Sequence, residues 1–319
     1  MFQESHGFIG PLATLFAGVP KRHVIDVGRL LGMLAYVVDA RHRRIVRRNL
    51  QFIHPEWSEE RVLKLSNRVF QNMGVTFLEI CQMTHYSRED ILRRVRIRGE
   101  ENLLNATRHP NGVILISAHL GNWEMAPLFT SCYLQKPIVS VAKQLHPKTL
   151  DRWILGRRTR FGNMILDKKG ALPGMARTLR EGGALGILID QETRRSEGAE
   201  VIFLDRTVIA TPVAALLARR YDSPVLPAFC VRQTDSRLTL IVEPPLMLQK
   251  THDPQADLQA NTQIMTYAIE KAVREYPEQW LWFHKRWKRH YPYLYPEDLS
   301  RRKRRRERKR RGLGLSASP

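Results

Sequence analysis

Two rhythms of hydrophobic positions run along this chain, and they change over near residue 95. Before that point apolar residues recur at spacings of three and four, the period of an amphipathic helix. Val24, Val27, Leu30, Leu31, Leu34 and Val37 form one such row within residues 22–40. Ser58, ahead of Glu59-Glu60-Arg61, reads as the N-cap of a further helix through Phe70, Val75 and Leu78; with Arg61 at the third position its capping box is incomplete. Beyond residue 95, short dense apolar runs alternate with helical segments. Val95–Arg98, Val113–Ala118, Ile138–Val141, Met164–Leu166, Leu185–Asp190, Val201–Phe203, Val225–Val231 and Leu238–Val242 are expected as strands. Helices are expected at 121–133, 147–161, 170–181, 211–221 and 256–276. The alternation predicts an α/β fold: a central mixed, largely parallel sheet flanked by helices, behind a helical amino-terminal region. The expected division is a helical membrane-associating region at 1–90, an α/β domain at 91–296 and a basic, disordered tail at 297–319.

The first helix allows two readings. Cationic clusters flank it, Lys21-Arg22-His23 before and Arg41, Arg43, Arg44, Arg47 and Arg48 after. That fits a helix lying in a lipid headgroup layer. It equally fits a helix packed on the protein's own core with a solvated basic face. A spanning helix needs about 20 clean apolar residues; Gly7 to Val19 is broken by Gly10, Pro11 and Gly18, and Val24 to Val38 by Asp26 and Arg29. No secretory signal is visible, because no basic segment precedes the first apolar stretch.

Charge adds a partner class. The chain of 319 residues carries a net charge of +21. The run RRKRRRERKRR at 301–311 accounts for much of that excess, yet the remainder is still basic. An anionic membrane surface or nucleic acid is the implied counterpart. Zinc-finger spacing, an RNP-like aromatic strand and a helix-turn-helix signature are all missing, which argues against nucleic acid. Cys81, Cys132 and Cys230 lie far apart with no CxxC, so reduced thiols are expected and neither a disulfide framework nor a metal site.

Three clusters carry candidate chemistry. His119 closes the run Val113–Ala118, and Glu124 follows five positions later. In an unbroken helix residues five apart diverge by about 140°, so a turn must bring them together. If it does, Glu124 orients one ring nitrogen while the other takes a proton from a hydroxyl. A helix starting near Gly121 would also offer N–H groups to an oxyanion. On spacing alone, a structural histidine is the competing reading. Arg157, Arg158 and Arg160 form a second cluster, suited to phosphate or carboxylate or simply a solvated helix end. Asp190 ends another apolar run, where it either caps a turn or enters the crevice at the sheet's carboxyl edge.

In order along the chain, RRIVRRNLQFIHPEWSEE, AHLGNWE, RRTRFG, ILIDQ, VIFLDRTVIATPVAALLARRYDSPVLPAF and PEQWLWFHKRW resemble the late acyltransferases of lipid A biosynthesis, the lauroyl and myristoyl transferases. The resemblance covers roughly residues 22–290. It implies transfer of a fatty acyl chain from acyl carrier protein, as cosubstrate and without another cofactor or metal, to a hydroxyl of a Kdo-bearing lipid A precursor. His119 and Glu124 would be catalytic, and Arg157, Arg158, Arg160 and Asp190 would bind substrate, Arg158 first among the arginines. The implied place is the cytoplasmic face of the inner membrane, peripheral or monotopic, against anionic lipid. Related acyltransferases use other phospholipid, glycolipid or aminolipid acceptors, so the reaction is better specified than its acceptor. Two departures stand out: the amino-terminal anchor is short and broken by charge, and the 301–311 tail lies outside the family pattern. Trp280, Trp282 and Trp287 are open to either packing or interfacial roles.

Overall fold

The computed structural model describes residues 19–145 and 147–298. The apolar stretch from Gly7 to 18 and the basic run 301–311 lie outside the described residues. Helices α1 (Lys21–Val38), α2 (Ala40–Ile53), α3 (Glu59–Gln82) and α4 (Arg88–Arg94) come first. Ser58 Oγ accepts from the Arg61 N–H at the start of α3, as its N-cap position requires. The long amino-terminal helix expected over 22–40 ends instead at Val38. Asp39 leaves helical geometry there and caps α2 by accepting the His42 N–H at 3.0 Å. No helix among the described residues is long and apolar enough to cross a membrane.

α1 turns its leucine row away from the protein core. Gly28 and Gly32 lie against α3; a Cβ on Gly32 would stand 2.3 Å from the Phe70 carbonyl oxygen, and one on Gly28 2.6 Å from Val75 Cα. Gly74 completes the crossing from the other side. Backbones this close need glycine, and the bulky residues are thereby turned away. Val24 and Ile25 are buried, but Leu30, Leu34, Val37 and Val38 are 53–81% exposed. Core packing and an outward apolar row thus coexist in this helix. It packs on the protein through small residues and presents an apolar row outward.

The remaining strands are β1 (Val95–Arg98), β2 (Val113–Ser117), β3 (Ile138–Ala142), β4 (Met164–Asp167), β5 (Ala184–Leu188), β6 (Ala199–Phe203), β7 (Arg206–Ala210), β8 (Val225–Arg232) and β9 (Leu238–Val242). The helices among and after them are α5 (Glu100–Ala106), α6 (Met125–Leu134), α7 (Lys148–Arg158), α8 (Ala171–Arg180), α9 (Val213–Tyr221) and α10 (Pro254–Glu275). Seven strands form one sheet in the order β1-β9-β8-β2-β5-β3-β4. Every neighbouring pair is parallel except β8 with β9. The expected α/β class therefore holds. Ile114 and Ile116 pack into one apolar cluster, Val113 and Leu115 into another, so β2 is covered on both faces. That explains its unbroken apolar run. Val201–Phe203 does not join this sheet; it forms an antiparallel hairpin, β6 with β7, which lies against α10.

Candidate active site

Register builds the site. β2 and β5 are parallel neighbours with Ser117 opposite Leu188. Two residues past each strand end stand His119 and Asp190, so the pairing that aligns the strands also aligns these side chains. His119 Nδ1 lies 2.8 Å from Asp190 Oδ1. Asp190 Oδ2 accepts the His119 backbone N–H at 3.0 Å and the Trp280 indole N–H at 2.9 Å. A carboxylate accepting these bonds places the ring proton on Nδ1, which leaves Nε2 as an acceptor. The Gln191 amide approaches Nε2 at 3.4 Å.

Burial pushes Asp190 upward, but the His119 ring and the three hydrogen bonds overcome it and hold the carboxyl at about 2. For His119 burial acts downward, and the charge and hydrogen bond of Asp190, then the charge of Glu124, leave the imidazole above its ordinary value. A buried carboxylate and a ring poised to become imidazolium suit proton transfer through Nε2.

The turn Leu120-Gly121-Asn122-Trp123 is fixed residue by residue. Leu120 bridges to Trp280, the Leu281 N–H donates to the His119 carbonyl at 3.0 Å, and the Gly121 N–H donates to Gln279 O at 3.0 Å. Gly121 has φ +60°, and a Cβ there would stand 2.2 Å from the Cys230 carbonyl oxygen. Asn122 accepts the Met125 N–H through Oδ1 and donates through Nδ2 to Glu79 Oε2, at 3.0 Å each. Glu79 in turn takes Arg232 Nη2 at 2.6 Å, a pair buried beneath the turn.

This geometry corrects the expected partner of His119. The helix does not begin near Gly121; α6 starts at Met125, and Glu124 is its N-cap. Glu124 consequently points to Arg158 rather than making a hydrogen bond to the His119 ring. Arg158 grips it with Nε to Oε2 at 2.8 Å and Nη2 to Oε1 at 2.5 Å, and the Trp123 indole adds 3.1 Å to Oε1. Burial lowers the Arg158 pKa, but its hydrogen bond and charge contact with Glu124 more than offset this. Glu124 reaches His119 only through its charge. The oxyanion role expected of a helix start at Gly121 loses its geometric basis.

Three of the substrate-binding candidates are occupied by the protein itself. Asp190 is buried under His119 and Trp280. Arg157 stacks over Trp153 and donates to Thr84 Oγ1 at 2.8 Å. Arg160 donates to the Met83, Thr84 and Tyr86 carbonyls at 2.5–3.0 Å. Arg157 and Arg160 thus hold the segment after α3 against α7, and only Arg158 faces the site. Trp280, Trp282 and Trp287 are buried in the core, where they pack, and Trp280 in addition donates to Asp190. The sequence reading overlooked Trp280 as an Asp190 donor and Gln279 as the bracket of this turn. Their signal was the block PEQWLWFHKRW, whose role depends on a contact across the fold. Cys81, Cys132 and Cys230 are all buried.

Residues 8–289 match the family model described as bacterial lipid A biosynthesis acyltransferase. The chain is 25% identical over 276 residues to the lipid A biosynthesis lauroyltransferase of Escherichia coli K12, covering 86% of this chain and 88% of that one. It is 24% identical over the same shares to the palmitoleoyltransferase of that strain. A lipid A biosynthesis acyltransferase of Haemophilus influenzae is 21% identical over 270 residues, 84% of this chain and 82% of the relative. A match across most of the chain, over a sheet whose carboxyl edge carries a carboxylate-held histidine, makes this protein an acyltransferase belonging to the bacterial lipid A biosynthesis acyltransferase family.

Proposed function

We propose that the protein moves a fatty acyl chain from acyl carrier protein to a hydroxyl of a Kdo-bearing lipid A precursor at the cytoplasmic face of the inner membrane. The observation that carries the catalytic part is the 2.8 Å contact between His119 Nδ1 and Asp190, which leaves Nε2 as the acceptor, met by the Gln191 amide at 3.4 Å until a substrate hydroxyl displaces it. Nε2 takes the proton of the acceptor hydroxyl as its oxygen attacks the thioester carbonyl carbon. Asp190 orients the ring and stabilises the imidazolium. The tetrahedral adduct collapses by breaking the carbon–sulfur bond, and the imidazolium returns the proton to the departing thiolate. The products are an ester and a free thiol, with the base restored.

Glu124 keeps a secondary part in this scheme. Its charge favours the imidazolium, and its grip on Arg158 fixes a guanidinium whose Nη1 has no hydrogen-bond partner among the described residues and is available to a substrate anion. The exposed apolar row of α1, followed by the arginines of α2, supports attachment to one leaflet of an anionic membrane. The test supplies radiolabelled acyl-carrier-protein donors and a panel of lipid acceptors to the wild type and to His119→Ala. Transfer should fall by about 10²- to 10⁴-fold in the variant. Transfer at the wild-type rate would overturn the mechanism, and a preference for a different acceptor would overturn the substrate assignment.

A further inference from the structure

Beneath the turn that holds His119 lies an ion pair shut off from solvent. Glu79 of α3 and Arg232 at the end of β8 meet as a fork, Nη2 to Oε2 at 2.6 Å and Nε to Oε1 at 3.3 Å. Their side chains are 7% and 5% exposed. Desolvating two charges is costly, and well-packed apolar residues of similar volume often stabilise a core as well or better. Stability alone is therefore a poor reason for the pair.

Its bonds instead lead to the turn. Asn72, Thr76 and Glu79 recur at spacings of four and three, on one face of α3. Arg232 donates through Nη1 to Asn72 Oδ1 at 3.0 Å and through Nη2 to Thr76 Oγ1 at 3.5 Å. Thr76 Oγ1 in turn donates to the Gly121 carbonyl at 3.2 Å, and Asn122 Nδ2 donates to Glu79 Oε2 at 3.0 Å. The Arg232 main chain pairs with the Gln279 amide, N–H to Oε1 at 2.9 Å and O to Nε2 at 2.8 Å. Gln279 O accepts the Gly121 N–H, and Cys230 O, two residues before Arg232, accepts the Asn122 N–H at 2.8 Å. Gly121 is thus gripped through both its N–H and its carbonyl, and Asn122 through its N–H and its side chain. Neither Glu79 nor Arg232 makes a hydrogen bond to His119 or Glu124 among the described residues, so any effect on them passes through the turn.

We propose that Glu79 and Arg232, acting through Asn122 and Thr76, are positioning residues for acyl transfer, holding the turn so that the His119 ring meets Asp190 and presents Nε2 to the acceptor hydroxyl. The inference rests on the acyltransferase reading with His119 as the base. His119 bonds one carboxylate twice, backbone N–H to Oδ2 and Nδ1 to Oδ1. Both bonds depend on where residue 119 stands, so a displaced turn weakens them together. A misplacement of about 1 Å costs on the order of 10²-fold in rate. Val75, beside Thr76, is the residue against which Gly28 of α1 packs. The helical region ahead of the sheet thereby takes part in the reaction centre.

An exchange of donor and acceptor tests this in the full chain. Asn122→Asp keeps the Oδ1 that accepts the Met125 N–H, but removes the donor to Glu79 and sets two carboxylates face to face. Adding Glu79→Gln restores the bond with its direction reversed. In radiolabelled transfer assays Asn122→Asp should lower kcat by about 10²-fold with KM within about threefold, and the double variant should recover at least about tenfold. NMR of the ¹⁵N-labelled His119 ring gives a second readout. The single variant should titrate below the wild type as the Asp190 bond weakens, and the double variant should return toward it. Folded Asn122→Asp with wild-type kcat and titration, whatever its melting temperature, would overturn the proposal. A double variant no better than the single one would do the same. If Asn122→Asp does not fold, Thr76→Val removes the hydroxyl bond to Gly121 and should lower kcat by about tenfold; an unchanged kcat there would equally overturn it. Transfer retained in His119→Ala would sink the general base, whereas the His119 titration reports the grip of the network on the ring whichever group is the base.

Discussion

The site holds two acid–base pairs built in opposite ways. Asp190 and His119 are 71 positions apart and meet because parallel strands deliver them in register. Glu124 and Arg158 are 34 apart and meet because a tight turn and the end of a helix converge. The first pair is locked by sheet hydrogen bonds beneath it, and the second ring nitrogen is met by the Gln191 amide at a long 3.4 Å. The second satisfies most of its own hydrogen-bonding capacity. Proximity in sequence favoured Glu124 as the histidine's partner, and strand register chose Asp190.

Substitutions can break this contrast, and the largest effect should come from the register-built pair. Asp190→Asn keeps the shape but removes the charge, and its amide can favour the wrong tautomer. The rate of transfer should fall by about 10²- to 10⁴-fold. Glu124→Gln should cost less, because the ring keeps its Asp190 bond; equal losses for both variants would erase the distinction. Arg158→Ala leaves Glu124 without its main partner in a mostly buried place. Chemical denaturation should show a loss of about 2–3 kcal/mol, and Glu124→Gln with Arg158→Met should be less destabilising than Arg158→Ala.

The pH dependence sharpens the comparison further. His119 sits above its ordinary 6.5, so the acid limb of kcat/KM should lie above that value in the wild type. Asp190→Asn should move the limb downward, since the main upward influence is gone. The stability signs are opposite for the two groups. The His119 contribution is present below about pH 6.5 and fades as pH rises through its raised folded value; that of Asp190 is present above about pH 4 and fades toward its folded value of about 2. The smallest effect belongs to Trp280→Phe, which removes one of three donors to Asp190. A fall in activity of less than about tenfold, with a slight rise in the Asp190 pKa visible by NMR, is expected.

Much of this was legible in the sequence because parallel strands buried on both faces announce themselves. Val113–Ser117 and Ala184–Leu188 read as apolar runs, with His119 and Asp190 just past their ends. What could not be read was that these two runs are neighbours, since β3 and β4 intervene between them in the chain. Which face of α1 turns outward could not be read for a related reason. Glycines are silent in an apolar count, yet Gly28 and Gly32 decide which side meets α3. The hairpin of β6 and β7 carries the same alternation as a sheet strand, and only its packing on α10 sets it apart.

The bridge between Leu120 and Trp280 has a consequence for synthesis. Gln279, Trp280 and Leu281 finish the turn that carries His119, although about half the chain separates them from it. Translation is vectorial, so β2 and β5 emerge and can pair well before the segment that closes over them. Until that segment arrives, Asp190 lacks its indole donor and the histidine turn lacks its clamp. A nascent chain stalled before Gln279 would hold a sheet without a working centre, which ties the onset of activity to near-completion of the polypeptide.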